Sequence, residues 1–562
     1  FRAGVNAGNS ITSGGNQNTV IGDEAGTAIT TGDNNTAVGH AALQNTTTAS
    51  GNVGIGKSAL ATNVLGSKSI AVGRGALSNQ NYTTATDAFN TAVGHEAGVV
   101  ITTATGSTLI GGLAGDSITT GSDNTAVGYN ALITNETSAN NTAVGVSALK
   151  LNTGADNTAV GRGALLNQAA GTGNVAVGKD AGNDVTTGAN NVLVGTAAGD
   201  AFTDADKNVA IGDQALSSDT LGSRSTAVGF GALFTQNFTT ATDAYNVAVG
   251  TNAGLSVTTG TLNTLIGGQA GDALTSGNSN VAIGYQALTA DTLGDRNVAI
   301  GNGALSTQNF TTTTDAYNVA IGQEAGVSVT TGIQNTIVGG LAGDAITTGS
   351  YNIAIGANGG GGVTTGSQNI LIGQGTGMAA LTGDKNTVVG DSAGNALTSG
   401  VRNTIMGASA GAALTTGIRN VAVGVQALLV DTKGNRSVAV GHNALSGQNF
   451  TTATDAYNTA LGHEAGAAVT VGLRNTLIGG LVGDALTDAD DNIAIGYNAL
   501  STDTLGSKSV AIGKGALNVQ NFTTATDTLN TAVGHAAGTS VTTGIHNTLI
   551  GGQTGDALTE GA

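Results

Sequence analysis

Residues 124–149 read NTAVGYNALITNETSANNTAVGVSAL, and the five residues that open this stretch return unchanged 17 positions later, at 141–145. Thr125 and Val127 are two residues apart, so in a strand they share one face while Ala126 lies on the other. The β-branched residues favour a strand, and Gly128 permits a sharp corner after it. The stretch therefore predicts a short strand that ends in a tight corner and recurs at a regular spacing.

The same unit recurs along the chain. If the Gly that closes each unit is taken as an anchor, 31 anchors run from Gly22 to Gly551, and their spacing is 17 in 24 intervals, 21 in five and 16 in one. A second stretch in each repeat, such as residues 256–260 (SVTTG), indicates a strand or extended segment with one buried face. Two extended segments and two tight corners per repeat are typical of a β-solenoid. We therefore predict an all-β parallel solenoid or β-roll of about 32 coils, continuous over residues 1–562.

One local motif competes with the repeat. Residues 51–58, GNVGIGKS, match the pattern of a phosphate-binding P-loop. A P-loop lies between a strand and a helix, whereas Asn52–Ile55 coincide with the predicted strand of the repeat, and the residues after Ser58 are too few for a helix. We interpret the match as an accident of a Gly-rich repeat.

Composition restricts the functional classes. The 562 residues include 92 Gly but no Pro, Cys or Trp, and 40% are hydrophobic, so the chain can bury a core. The net charge of −18 argues against binding to nucleic acid or to anionic membrane surfaces. No apolar run approaches the ~20 residues needed to cross a bilayer, so no membrane insertion is expected. Without Cys there are no disulfides or thiolate metal sites. The start at Phe1, without Met, indicates a processed or truncated beginning.

Both faces of the predicted strand are apolar, although one coil has only one interior. We expect the Val and Ile residues to fill that interior, which leaves the opposite Ala face to be covered. Ala37, Ala143 and Ala282 on that face would then contact further copies of the chain in a homotrimer. The alternative is a thicker monomeric coil whose loops cover the face. In either case Asn residues that stack from coil to coil are expected to hydrogen-bond along the axis, amide to amide.

The five 21-residue coils carry similar insertions, which lie at 80–90, 236–246, 308–318, 448–458 and 520–530. Their aromatic residues are the candidate glycan- or receptor-binding residues: Tyr82, Phe89, Phe238, Tyr245, Phe310, Tyr317, Phe450, Tyr457 and Phe522. One interpretation is that these rings stack on sugar faces. The alternative is that the aromatics of each loop pack on each other and on the solenoid.

No arrangement in the sequence indicates catalysis. The acidic corners at 204–206 and 488–491 lack the spacing of a calcium loop, so we expect solvated acids there. The six His residues are spread over the chain, mostly as single residues after an anchor Gly, and we expect surface positions for them. Two of them precede Glu, as His95-Glu96 and His463-Glu464, but neighbours in a turn usually point apart. We predict no catalytic residues, no metal site, no cofactor and no enzymatic activity.

The recurring N-T-A-V-G-x-x-A-L units, as in residues 124–132 and 141–149, resemble repeats in the shafts of bacteriophage tail fibre proteins. The Ser-Val-Ala-Ile-Gly form at 509–513 is also similar to the head repeats of trimeric autotransporter adhesins, although those repeats are shorter than the repeat of this chain. Both resemblances cover essentially the whole chain, and both imply parallel β-rolls in trimers attached to a surface.

The resemblance implies a structural fibre of a virion that reaches and attaches to the host cell surface. Its expected partners are copies of itself, a cell-surface glycan or receptor, and other virion tail proteins. The expected location is the virion tail or the extracellular cell surface. The alternative function is a bacterial or archaeal cell-surface adhesin or an extracellular filament subunit.

Overall fold

The computed structural model describes residues 1–560, which form two compact units, residues 1–279 and residues 280 onward. Each unit is a parallel β-solenoid with about 17 residues per coil, and the two units together hold about 32 coils. The predicted fold class is therefore confirmed. The described residues contain no helix, and so none that is long and apolar enough to cross a membrane.

In the first unit one strand per coil contributes to a principal parallel sheet. These strands are β1 (Arg2–Ala3), β2 (Thr19–Ile21), β3 (Thr36–Val38), β4 (Val53–Ile55), β6 (Ile70–Val72), β8 (Thr91–Val93), β9 (Thr108–Ile110), β10 (Thr125–Val127), β11 (Thr142–Val144), β12 (Thr158–Val160), β13 (Val175–Val177), β14 (Val192–Val194), β15 (Val209–Ile211), β17 (Thr226–Val228), β19 (Val247–Val249) and β20 (Thr264–Ile266). Strand β4 occupies the middle of the P-loop-like stretch, as the repeat predicted.

The second unit repeats this arrangement. Its principal strands are β21 (Val281–Ile283), β23 (Val298–Ile300), β25 (Val319–Ile321), β26 (Thr336–Val338), β27 (Ile353–Ile355), β28 (Ile370–Ile372), β29 (Thr387–Val389), β30 (Thr404–Met406), β31 (Val421–Val423), β33 (Val438–Val440), β35 (Thr459–Leu461), β36 (Thr476–Ile478), β37 (Ile493–Ile495), β39 (Val510–Ile512), β41 (Thr531–Val533) and β42 (Thr548–Ile550).

Each 21-residue coil adds a small two-stranded parallel sheet, of which one strand lies within the inserted loop and the other in the coil before it. The paired strands are β5 (Gly66–Ser67) with β7 (Thr86–Asp87), β16 (Gly222–Ser223) with β18 (Thr242–Asp243), β22 (Gly294–Asp295) with β24 (Thr314–Asp315), β32 (Gly434–Asn435) with β34 (Thr454–Asp455), and β38 (Gly506–Ser507) with β40 (Thr526–Asp527). The second extended segment of the ordinary coils forms bends, apart from one isolated bridge between Val363 and Leu381. Its aliphatic residue is buried, as expected.

The register places equivalent residues directly above one another. Thr125, Ala126 and Val127 pair with Thr142, Ala143 and Val144. The register is kept across the 16-residue interval, where Thr142 pairs with Thr158, and across a 21-residue interval, where Thr226 pairs with Val247. Changes in coil length are therefore absorbed in the corners and loops, and every strand position forms a column of like residues.

The orientation of the strands differs from our expectation. From β2 to β41 the middle residue of each principal strand is buried in the interior, and Ala37, Ala143 and Ala282 have no exposed surface. The first and third residues form the outer face of the solenoid and are half-buried to exposed, as Thr125 and Val127 illustrate. The predicted Ala interface is therefore wrong, because those side chains fill the core of their own chain. The apolar face left uncovered is the β-branched one.

Two kinds of coil fill the interior in complementary ways. In the coil that begins at β10, the core is filled by Leu132, and the buried position three residues later is the polar Asn135. In the coil that begins at β9, Gly115 replaces the Leu, and Ile118 is buried three residues later. A Cβ atom on Gly115 would lie 2.7 Å from Cδ1 of Ile118, so the two fillings exclude each other. Close packing thus couples two positions within each repeat.

The anchor glycines and the Asn columns hold adjacent coils together. Gly195 has a φ of +138°, and a Cβ there would lie 2.3 Å from the carbonyl oxygen of Gly212, so only Gly fits. Buried Asn174 accepts a hydrogen bond from the backbone N–H of Asn191 at 2.9 Å and donates to the carbonyl of Gly188 at 2.8 Å. The Asn ladder therefore runs along the axis as predicted, but its main partners are backbone groups.

Candidate functional site

The five inserted loops depart most from the regular coil, and buried polar side chains hold their bases. In the loop 236–246, Nδ2 of Asn246, at its end, donates to Oε1 of Gln236, at its start, at 2.8 Å. Nε2 of Gln236 donates to Oδ2 of Asp219 in the coil below at 2.6 Å. Oδ1 of Asp219 accepts the backbone N–H of Phe238 at 3.2 Å. The loop thus leaves the solenoid from a closed hydrogen-bonded base.

Burial raises the pKa of this Asp above its ordinary range, although the hydrogen bonds that it accepts lower it. We call each inserted loop, together with the coils on either side of it, a module. Asp291 and Asp431 occupy the same place in two other modules, and burial raises their pKa values in the same way. In the first module the position is Asn63, whose Oδ1 accepts the backbone N–H of Gly66 at 3.0 Å, as Oδ1 of Asp219 accepts that of Gly222, and whose Nδ2 donates to the Gly66 carbonyl at 2.6 Å. Because a neutral amide occupies this position in one module, the loop does not depend on a charge there, and the buried acid is structural.

The first aromatic residue of each loop belongs to the core. These residues are only 5 or 6% exposed: Tyr82, Phe238, Phe310, Phe450 and Phe522. The hydroxyl of Tyr82 donates to the carbonyl of Ala104 at 2.5 Å, and burial raises the pKa of this phenol to about 12. These five predicted glycan-binding residues cannot offer a ring face to a ligand. The packing interpretation holds for them.

The second aromatic residue of each loop is on the surface. Phe89, Tyr245, Tyr317 and Tyr457 are between 47 and 59% exposed. A cation from the coil below lies against each ring, 5.1 to 5.5 Å from its centroid; these cations are Lys68, Arg224, Arg296 and Arg436. In the fifth loop the equivalent residue is Leu529, which is also exposed.

A carboxylate completes each of these surface groups. Nε of Arg224 lies 2.8 Å from Oδ1 of Asp243, while its guanidinium contacts the ring of Tyr245. The other four loops contain the same ion pair, including the last, where Nζ of Lys508 lies 2.5 Å from Asp527. Four loops therefore present an aromatic ring, a cation and a carboxylate side by side, a combination that offers one apolar face and several hydrogen-bonding groups.

Backbone strain does not single out these loops. Tyr245 has a positive φ of 50°, which is uncommon for a large residue. Ordinary coils also place Leu in this region, as at Leu132, where φ is 55°. The left-handed conformation is thus a property of the corners of this solenoid.

The acidic corners engage the coils beside them. Oδ1 of Asp206 accepts the backbone N–H of Ala189 at 2.7 Å. Asp491 forms an ion pair with Arg474 at 2.6 Å, and the hydrogen bond from that guanidinium lowers the pKa of the Asp491 carboxyl. These acids hold coils together.

The histidines are less dispersed than the sequence suggested. The rings of His442 and His463 stack, with centroids 5.2 Å apart and planes inclined by 12°. Nε2 of His463 lies 3.9 Å from Oε1 of Glu464, and Nδ1 of His95 lies 3.7 Å from Oε2 of Glu96. Our premises that no His residues cluster and that adjacent His and Glu point apart were therefore wrong. The signal was present, since His442 and His463 each follow an anchor Gly in consecutive coils.

No protein-family model and no curated protein matches this sequence.

Proposed function

We propose that the chain is a structural fibre of a virion, a tail fibre that reaches the host cell surface and attaches to it as a homotrimer. The observation that carries the proposal is the outer face of the principal strands, which repeats without interruption within each unit. The resemblance of the N-T-A-V-G units to tail fibre shafts supports the same assignment. The regular ladder of each unit supports a mechanical role.

The outer face is apolar and uncovered. Its third-position residues include Ile110, Val160 and Val177, each more than one-third exposed, and its first-position residues are Thr, Val or Ile. Parallel sheets are normally covered on both faces, and large apolar patches on a soluble surface mark interaction sites. Copies of the same chain are the partners we propose, because an identical repeat presents identical columns in the same spacing.

The assembly is tested with lysine substitutions on this face. We expect the triple variant I110K/V160K/V177K to behave as a single 54.2 kDa chain in native mass spectrometry, whereas the unmodified chain has three times that mass. A matched control places lysine at three exposed positions of the second extended segment, T31K, T120K and T259K, and should stay trimeric. A wild-type monomer, or a trimer that tolerates the outer-face lysines, would contradict the proposed interface.

The attachment site that we propose is the set of exposed loop aromatics with their ion pairs. Aromatic faces stack on the apolar faces of sugars, while Arg and Asp can hydrogen-bond to sugar hydroxyls. A variant with Ala at Phe89, Tyr245, Tyr317 and Tyr457 should lose binding to immobilised cell-surface glycans and keep its β circular dichroism. Leu529→Ala, in the one loop without an exposed aromatic, is the control. Unchanged glycan binding in the fourfold variant would refute this site.

The biological setting is tested by labelling. Gold-conjugated antibody against the chain should label the tails of virions. Label on the surface of bacterial or archaeal cells would instead favour the adhesin or filament hypothesis.

A further inference from the structure

The pair of stacked histidines lies outside the loop sites described above. His442 and His463 are both exposed, and Glu464 is half-buried beside them. Each of the three side chains offers one ligand atom, and these atoms all lie within 4.8 Å of one another. The arrangement arises because His442 and His463 hold the same place after the anchor Gly in two consecutive coils, with one inserted loop between them in the sequence.

A second module shows what the same His-Glu pair does when a cation is supplied by the chain. There His95 and Glu96 take the places of His463 and Glu464, and Arg74 takes the place of His442. Nη1 of Arg74 lies 2.9 Å from Nε2 of His95 and 3.6 Å from Oε1 of Glu96. Arginine has only donors, so the imidazole and the carboxylate both act as acceptors toward one positive group.

We propose that His442, His463 and Glu464 bind one divalent transition-metal ion of the class that prefers imidazole and carboxylate ligands, Zn²⁺, Cu²⁺ or Ni²⁺. In this module the built-in cation is absent, and the residue in its place offers a third ligand atom. Metal–nitrogen and metal–oxygen bonds of about 2.0–2.2 Å require the ligand atoms to approach more closely than they do in the structure. Side-chain rotation supplies that movement, since both imidazoles are exposed.

The surroundings leave room for the ion and favour its charge. The residue at the same place in the next coil is Gly480, which has no side chain to cover the site. Oδ1 of Asp484 in that coil is buried and has no hydrogen-bond partner among the described residues. A bound cation offsets the negative charge of Glu464, and three protein ligands leave a fourth position for water.

The test is calorimetric titration of the full, chelator-treated chain with ZnCl₂, CuCl₂ and NiCl₂ in separate experiments. We expect one ion per chain at pH 7.5 for at least one of the metals. His442→Arg should lower the affinity at least tenfold. Arg fits at this place, because Arg74 occupies it in the other module.

The converse change makes the test stricter. R74H should create a second site of similar affinity, raising the stoichiometry to two ions per chain. His535→Ala is the control, because that His is followed by Ala536 and preceded by Lys514 in the coil below; it should leave binding unchanged. Absence of binding by the unmodified chain, or H442R binding indistinguishable from wild type, would overturn the assignment. Failure of R74H to gain a metal site would show that a stacked pair of imidazoles beside a Glu does not determine metal binding.

Discussion

The two aromatics of one loop are expected to differ sharply in what their removal costs. Phe238 is 5% exposed and Tyr245 is 48% exposed, although they lie seven residues apart in the same loop. A Phe ring buries about 150–250 Å², which at about 25 cal/mol/Å² is roughly 4–6 kcal/mol, and measured Phe→Ala changes in cores cost about 3–5 kcal/mol. We therefore expect Phe238→Ala to lower the local stability by about 4 kcal/mol.

Tyr245→Ala removes much less. The ring keeps about half its surface in water, and its contact with the Arg224 guanidinium at 5.5 Å is worth about 0.5–1 kcal/mol at an exposed site. The ion pair between Arg224 and Asp243 remains, so the base of the loop is not opened. We expect a change of about 1 kcal/mol or less.

Hydrogen exchange is the suitable assay, because a solenoid unfolds locally and a single global transition is not expected. The reporters are the amides of Asn237 and Ala244, which donate to the coils above and below the loop at 3.0 Å. Since about 1.4 kcal/mol is a factor of ten, Phe238→Ala should accelerate their exchange about a thousandfold and Tyr245→Ala by less than about tenfold. Equal acceleration by the two variants would refute the division into a buried and a surface aromatic.

Three further predictions concern the solenoid itself. Burial raises the pKa of Asp200 to about 6. Because a raised carboxyl pKa means that the folded state holds the proton more tightly than the unfolded state, the free energy of unfolding falls as pH rises from about 4 to 6. Thermal melts should therefore show that Asp200→Asn stabilises the chain by about 1–2 kcal/mol at pH 7, after allowance for solvent screening, and has no effect at pH 3. Gly195→Ala places a Cβ 2.3 Å from the carbonyl oxygen of Gly212 at a φ of +138°. This clash should lower the local stability by at least about 2 kcal/mol, so limited proteolysis should show cleavage near this coil. Resistance to the protease equal to that of the wild type would contradict the steric argument. Asn174→Leu leaves a buried N–H and a buried carbonyl in adjacent coils without partners. Hydrogen exchange of the amides around it should become faster, as expected for a loss of about 2–4 kcal/mol of local stability. Unchanged exchange rates would show that the Asn ladder contributes nothing to stability.

The types and spacing of neighbouring residues were sufficient to predict the stack of parallel strands. The repeat period, the strand at residues such as Thr125–Val127 and the corner at Gly128 follow from β-branched residues, Gly and spacing. Because the same residues recur in the same order, stacking puts each one beside its equivalent, as the register of Ala126 with Ala143 shows. The loops were also found from sequence, since each lengthens the period of its coil.

The sequence could not separate the buried aromatic of each loop from the exposed one. Phe238 and Tyr245 are similar in chemistry and lie in one loop, so nothing in their residue types separates the buried ring from the exposed one. The path of the loop over the solenoid decides which ring is buried, because that path places one ring in the core and the other against Arg224 of the coil below. The cation and the carboxylate of each surface group come from different coils, and therefore their meeting requires the coil-to-coil alignment.

The sequence by itself determined that this chain stacks short parallel strands into a solenoid, because period and residue type are local and repeated. Only the tertiary structure decided which face of those strands is inside. Both faces are apolar, so the alternation of side chains along the strand does not show which face is buried. The buried face follows from the corner after each strand: the Ala and Leu of that corner fill the interior, and the remaining space accommodates the middle Ala or Leu of the strand. The contact of His442 with His463 depended on both: their equal place after the anchor Gly was visible in the sequence, and the structure keeps the strands in register across the inserted loop between them, so that the two rings stack.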